Sequence, residues 1–201
     1  MIRQLVLAVL FIVALQAPAA FGQVEFGVKA GILLNNFNNY EKDNWLKPDP
    51  DQFYDDYIGP NVGIVVKKSF GEKWSGLAEA QLAYLTNIGD LQREYDLFLV
   101  SIPLLVQRQL NNFIKIQAGG TMNIILENEV DPTFVPFENN VDFMALAGIE
   151  FDLTEKFQIG VRGGLGLRPL GRTIFTDLNG DIARETIIRE MQLSLHGTYF
   201  F

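Results

Sequence analysis

From Val24 onward the chain alternates. In the opening stretch Val24, Phe26, Val28, Ala30 and Ile32 take one parity, while Glu25, Gly27, Lys29 and Gly31 take the other. The closing stretch repeats the rule: Met191, Leu193, Leu195, Gly197, Tyr199 and Phe201 are apolar or small, whereas Gln192, Ser194, His196 and Thr198 are mostly polar. A period of two marks a β-strand whose two faces meet different surroundings. The same pattern predicts eight strands, near residues 24–33, 59–70, 74–85, 97–110, 113–125, 141–153, 157–168 and 182–201. Each is at least as long as the roughly 9 to 11 residues a tilted strand needs to cross a hydrocarbon core.

The connections sort by length. Gly71 to Lys73, Leu110 to Asn112 and Thr154 to Lys156 are tight turns, and the linkers between them are longer. That alternation predicts an all-β fold, an eight-stranded antiparallel up-and-down transmembrane β-barrel with short periplasmic turns, long outer loops and both termini periplasmic. Parity supports it. Outward positions would be Val62, Ile64, Val66 and Phe70 in the second strand and Phe98, Val100, Ile102, Leu104 and Val106 in the fourth. The sixth strand contributes Val141, Phe143, Ala145, Ala147, Ile149 and Phe151. A soluble periplasmic ligand-binding barrel would put the apolar parity inside. Outward aromatics fall at two heights, with Phe26, Phe70, Trp74, Phe151, Phe157, Tyr199 and Phe201 at one end and Tyr84, Phe98 and Phe143 at the other, as interfacial girdles require. The outward bases Lys68 and Arg108 precede turns, where they can snorkel. Arg189 lies near the outer end, within reach of lipopolysaccharide phosphates.

Ahead of the first strand, Arg3, an apolar run from Leu5 to Leu15, and small residues at Ala20 and Gly22 predict a signal peptide over 1–22, leaving a barrel domain over 23–201. The apolar core of that leader is too short to span a bilayer. There is no cysteine, hence neither a lipid-attachment site nor a disulfide framework. Hydrophobic residues make up 48% of the chain, yet after Gln23 no apolar run approaches a spanning helix. A net charge of −8 argues against nucleic acid as a partner.

Inward parity collects the acids Glu25, Glu79, Asp142, Glu150, Asp152 and Glu190 and the bases Lys29, Lys67, Lys115, Arg162 and Arg168. A barrel of this size is just wide enough for side chains to fill, and buried charges persist when paired. These residues therefore predict a salt-bridged plug with Lys115, Glu79 and Arg162 at its centre; the alternative is a narrow ion or solute channel. His196 shares its parity with Ser194 and Glu190, which invites comparison with lipid-modifying outer-membrane enzymes. Such enzymes present their site to lipid, whereas these side chains point inward, so no catalytic residue, cofactor or metal is expected. Pro103 in mid-strand predicts a bulge or kink.

The outer loops carry most of the excess acid. The first, Asn35 to Tyr57, mixes Glu41, Asp43, Asp49, Asp51, Asp55 and Asp56 with Trp45, Phe53, Tyr54 and Tyr57, aromatics of the kind that recognise partners. Glu127 to Asn140 holds four acids and no base, without ligand spacing for calcium. Asn179-Gly180 is a hairpin signal, so the last two strands should continue above the membrane as a ribbon.

Phe26-Gly27-Val28-Lys29-Ala30-Gly31, together with Leu99-Val100-Ser101-Ile102-Pro103-Leu104-Leu105-Val106, resembles the PorT-like outer-membrane β-barrel family of Bacteroidetes. Ser101 stands where an acidic residue often precedes Ile-Pro. The resemblance covers essentially the whole mature chain and implies an eight-stranded barrel whose namesake is linked to protein secretion. The terminal aromatics Tyr199 and Phe201 resemble the signal read by the barrel assembly machinery. The expected partners are thus outer-membrane lipids and lipopolysaccharide, that machinery, and an envelope or secretion protein.

Overall fold

The computed structural model describes residues 24–41, 44–48, 55–88, 96–128, 140–176 and 182–201. The expected leader, Phe53, Tyr54 and the Asn179-Gly180 turn lie outside them, as does most of Glu127 to Asn140. The strands are β1 (Val24–Glu41), β2 (Asn44–Pro48), β3 (Asp55–Ser69), β4 (Trp74–Asn87), β5 (Asp96–Gln109), β6 (Ile114–Asn128), β7 (Val141–Asp152), β8 (Phe157–Gly166), β9 (Gly171–Thr176) and β10 (Ile182–Phe200). All pair antiparallel in the order β2-β1-β3-β4-β5-β6-β7-β8-β10-β9, and β1 also pairs with β10 from Gly27↔Phe200 to Glu41↔Thr186. That pairing closes eight long strands into a barrel and removes its free edges. At the seam Phe201 N–H donates to Phe26 O at 2.9 Å, so the last residue is held in the ladder.

The strands β1, β3 and β10 run beyond the length needed to cross the hydrocarbon. Asn35 to Glu41, expected as loop, continues β1, and Asp55 to Tyr57 begins β3. The short β2 pairs with the end of β1, and β9 pairs with β10, so the barrel wall rises at the loop end. β8 and β9 are separated by a break at Leu167 to Leu170 that contains Pro169. This break overturns the inward placement of Arg168. Beyond the end of the β8 ladder its side chain is exposed, with its guanidinium 5.4 Å from the Phe143 ring centre and Nη2 donating to Val141 O.

Pro103 makes no bulge. Pairing of β5 with β6 runs through Pro103↔Thr121, and β4–β5 pairing lapses between Leu104↔Ala78 and Ser101↔Gln81 without a shift of register. The missing N–H costs pairing on the β4 side and leaves the frame intact. The irregularity of β5 lies instead between Phe98 and Leu99, against β6.

Exposure follows the expected parity. Phe26, Ile32, Ile64, Leu104, Leu195 and Phe201 are exposed, while Lys29, Glu79, Glu150, Arg162 and His196 are buried. Arg108 rests over the Trp74 ring, and the Tyr84 and Phe98 rings meet at 4.9 Å at the other girdle. The interior is less uniformly polar than the alternation implies. Leu33, Phe37, Tyr57, Leu85, Leu97, Leu99, Ile125 and Ile188 form an apolar cluster in the loop half, and Val65, Leu77, Leu105, Met144, Leu146 and Phe200 form a second.

Candidate functional site

Between these clusters lies a buried polar network. β4 and β8 stand on opposite sides of the barrel, four strands apart in the ring. Their inward residues Glu79 and Arg162 nevertheless meet: Arg162 Nη1 donates to Oε2 at 2.9 Å and Nη2 to Oε1 at 3.0 Å. The planar guanidinium matches a carboxylate through two parallel bonds, the strongest ion-pair geometry available to side chains. Lys29 of β1 adds a third bond to Glu79 at 2.9 Å. Gln81 Nε2 donates to Glu79 as well, which completes the shell of that carboxylate.

The second carboxylate is Glu150 of β7. His196 Nε2 donates to its Oε1 at 2.7 Å, Gln117 Nε2 donates to the same atom at 2.6 Å, and Arg162 lies 3.8 Å away. Two bases, Lys29 and Arg162, thus face two acids, Glu79 and Glu150, and the formal charges cancel. Gly160, opposite Glu150 in the ladder, makes room for this arrangement. A Cβ there would sit 2.2 Å from Glu150 Oε2.

Several expected members lie elsewhere. Lys115 is not central; it lies near the start of β6, at the turn end, and pairs with Asp152 at 2.7 Å, while Lys67 pairs with Glu25 at 3.1 Å in the same rim. Lys29 takes the place expected of Lys115, because its strand register carries it to the level of Glu79. Glu190 is buried but belongs to no ion pair among the described residues: Asn35 and Asn123 each donate to its Oε1 at 2.9 Å, with the Asp142 carboxyl beside it. The acid on His196 is Glu150, not Glu190. Tyr57, expected on a loop, packs edge-to-face on Phe37 with ring centres 5.6 Å apart inside the upper cluster. Trp45 falls in β2. Inward parity alone could have found Gln81 and Gln117; their partners could not be read from it.

Ser194, His196 and Glu150 form a chain, with Ser194 Oγ 3.3 Å from His196 Nδ1. These are the residue types of a hydrolytic triad. The void touching Ser194 and Arg162 measures about 10 Å³, which is space for one water molecule.

A charge-filled interior inside an apolar exterior, closed by β1–β10 pairing, is the construction of an outer-membrane barrel, and the sequence agrees. Residues 16–183 match the outer membrane protein beta-barrel domain. The chain belongs to that family. No curated protein matches it by sequence. Among solved structures, this barrel is similar to Neisserial surface protein A, with 10% identity, a TM-score of 0.52, and 89% of this chain and 99% of that one covered. It is also similar to Ail of Yersinia pestis, at 13% identity, 0.49, and 89% and 99% coverage. OprG from Pseudomonas aeruginosa gives 10% identity, 0.47, and 90% and 97%. At such identities the likeness concerns the fold. As a member of this family the barrel sits in outer-membrane lipid, its exposed apolar belt against the acyl chains.

Proposed function

We propose that this barrel is a closed membrane scaffold, accessory to protein secretion or envelope assembly, that works through its loop-end face. The observation that carries this reading is the sealed interior. A solute would have to part the Arg162–Glu79 fork and then cross the upper cluster, where Leu85 and Leu99 are 0% exposed. A tight apolar layer excludes water and ions as effectively as a charge barrier. The resemblance of Phe26 to Gly31 and Leu99 to Val106 to PorT-like proteins supports the secretion role. In this reading the leader over 1–22 is removed on export. Both ends of the barrel chain face the periplasm, since the short turns share their end. Arg189 touches lipopolysaccharide. Catalysis has no part in it, because Ser194 opens onto space for one water.

Planar-bilayer recording tests the closed interior: the unmodified protein should give no steady current, and a sustained ion-selective current would replace the scaffold with a narrow channel. Crosslinking from the loop end in native outer membranes tests the partner. An envelope or secretion protein should be captured, and recovery of lipid alone would remove the accessory role.

A further inference from the structure

The turn end of the interior opens into a polar vestibule of about 70 Å³ lined by Lys67, Ser69, Lys73, Ser75, Gln107 and Lys115. Strand parity builds it. β3 turns Lys67 and Ser69 inward, β4 Ser75, β5 Gln107 and β6 Lys115, and the tight turn between β3 and β4 brings Lys73 to the mouth. Two of the three ammonium groups are held in place. Lys67 leans on Glu25 with its Nζ 5.1 Å from the centre of the Phe200 ring, and Lys115 is fixed by Asp152 at 2.7 Å. Both of these acids stand outside the lining, whose one carboxylate is that of the exposed Glu72, beside three ammonium groups and the Gln107 amide.

Gln107 supplies a second, independent observation. Its side chain is 2% exposed, and its Nε2 is buried without a hydrogen-bond partner. A buried amide N–H left unmet is costly, and ammonium groups offer no acceptor to satisfy it. The complement of this lining is an acceptor with negative charge on several sides. A planar carboxylate offers two oxygens in one plane, whereas these donors converge from four strands and a turn. We propose that the turn-end vestibule binds a small tetrahedral oxyanion, a free phosphate or the phosphate monoester of a headgroup. Above it Val65, Leu77 and Leu105 close the way, so the anion is held at the mouth and does not pass. The Glu72 carboxylate in the same lining opposes the anion. The site does not depend on which side of the membrane the turn end faces.

The test is titration of the full barrel, refolded in phosphate-free maltoside micelles, with inorganic phosphate, following the Gln107 side-chain amide by NMR and the heat by calorimetry. A saturable shift is expected. Gln107→Leu should weaken it about tenfold, the loss of a hydrogen bond to a charged group. Lys73→Gln, at an exposed turn position where folding is unaffected, should weaken it several-fold, and Glu72→Gln should tighten it. Short-chain phosphatidic acid that displaces phosphate would name a headgroup as the occupant; phosphate binding undisturbed by the lipid would name the free ion. The proposal fails if a planar anion, nitrate or acetate, reproduces the shift at matched ionic strength. It also fails if the response does not saturate, or if Lys73→Gln leaves the affinity unchanged.

Discussion

Arg162 and Glu79 join opposite walls of the barrel through two hydrogen bonds of 3.0 and 2.9 Å, with Lys29 bound to the same carboxylate. A tie of this kind does not create the barrel, which the closed ladder holds. It fixes how the interior is filled. Charges buried this deeply are stable together and costly apart.

Removal of either partner should therefore be expensive. Glu79→Ala leaves two cations without their shared carboxylate, and Arg162→Ala leaves two acids facing one lysine. Each should lower the unfolding free energy by about 3 to 5 kcal/mol, measured by urea unfolding in detergent micelles. A loss below about 1 kcal/mol, the range of an exposed pair, would mean that water reaches the network.

Gly160 and Gly163 stand on opposite faces of β8 and should respond oppositely. Alanine at Gly160 would place its methyl 2.2 Å from Glu150 Oε2 and push that carboxylate off His196, at a cost of about 1 to 3 kcal/mol for overpacking. At Gly163 the nearest atom is 3.9 Å away on the lipid side, so Gly163→Ala should fold with unchanged or slightly raised stability. Equal behaviour in thermal unfolding would contradict the inward register of β8.

The last two residues separate stability from assembly. Phe200 is buried beside Lys67, and Phe200→Ala should cost about 3 to 5 kcal/mol while still inserting into membranes. Phe201 is 72% exposed, and Phe201→Ser keeps its N–H bond to Phe26 but removes the proposed recognition aromatic. It should slow assembly in cells and leave unfolding in vitro nearly unchanged. Normal assembly of Phe201→Ser would count against a terminal signal.

Tyr57 offers a check on the upper cluster. Its ring is a buried partner of Phe37, so Tyr57→Ala should destabilise by about 3 to 5 kcal/mol, as truncation of a core aromatic does. Were the ring a partner-binding residue on a loop, the same change would alter crosslinking at the loop end and spare unfolding.

Alternation by itself determined the fold class, the lipid-facing side and the short turns, because a period of two converts sequence directly into two faces and a membrane forces those faces apart in chemistry. It placed Phe26, Ile64 and Leu104 outside and Lys29, Glu79 and Arg162 inside. What it could not say was the height of each inward residue after eight tilted strands close. Height depends on the stagger between neighbouring strands, which appears only in the ladder. Lys115 and Lys29 share parity, yet register sends one to the rim with Asp152 and the other to Glu79. The same stagger pairs His196 with Glu150 in place of Glu190, and the break after Gly166 turns Arg168 out of the interior altogether. Parity is local to a strand, whereas a partner across the barrel is chosen by the closure of the whole ring.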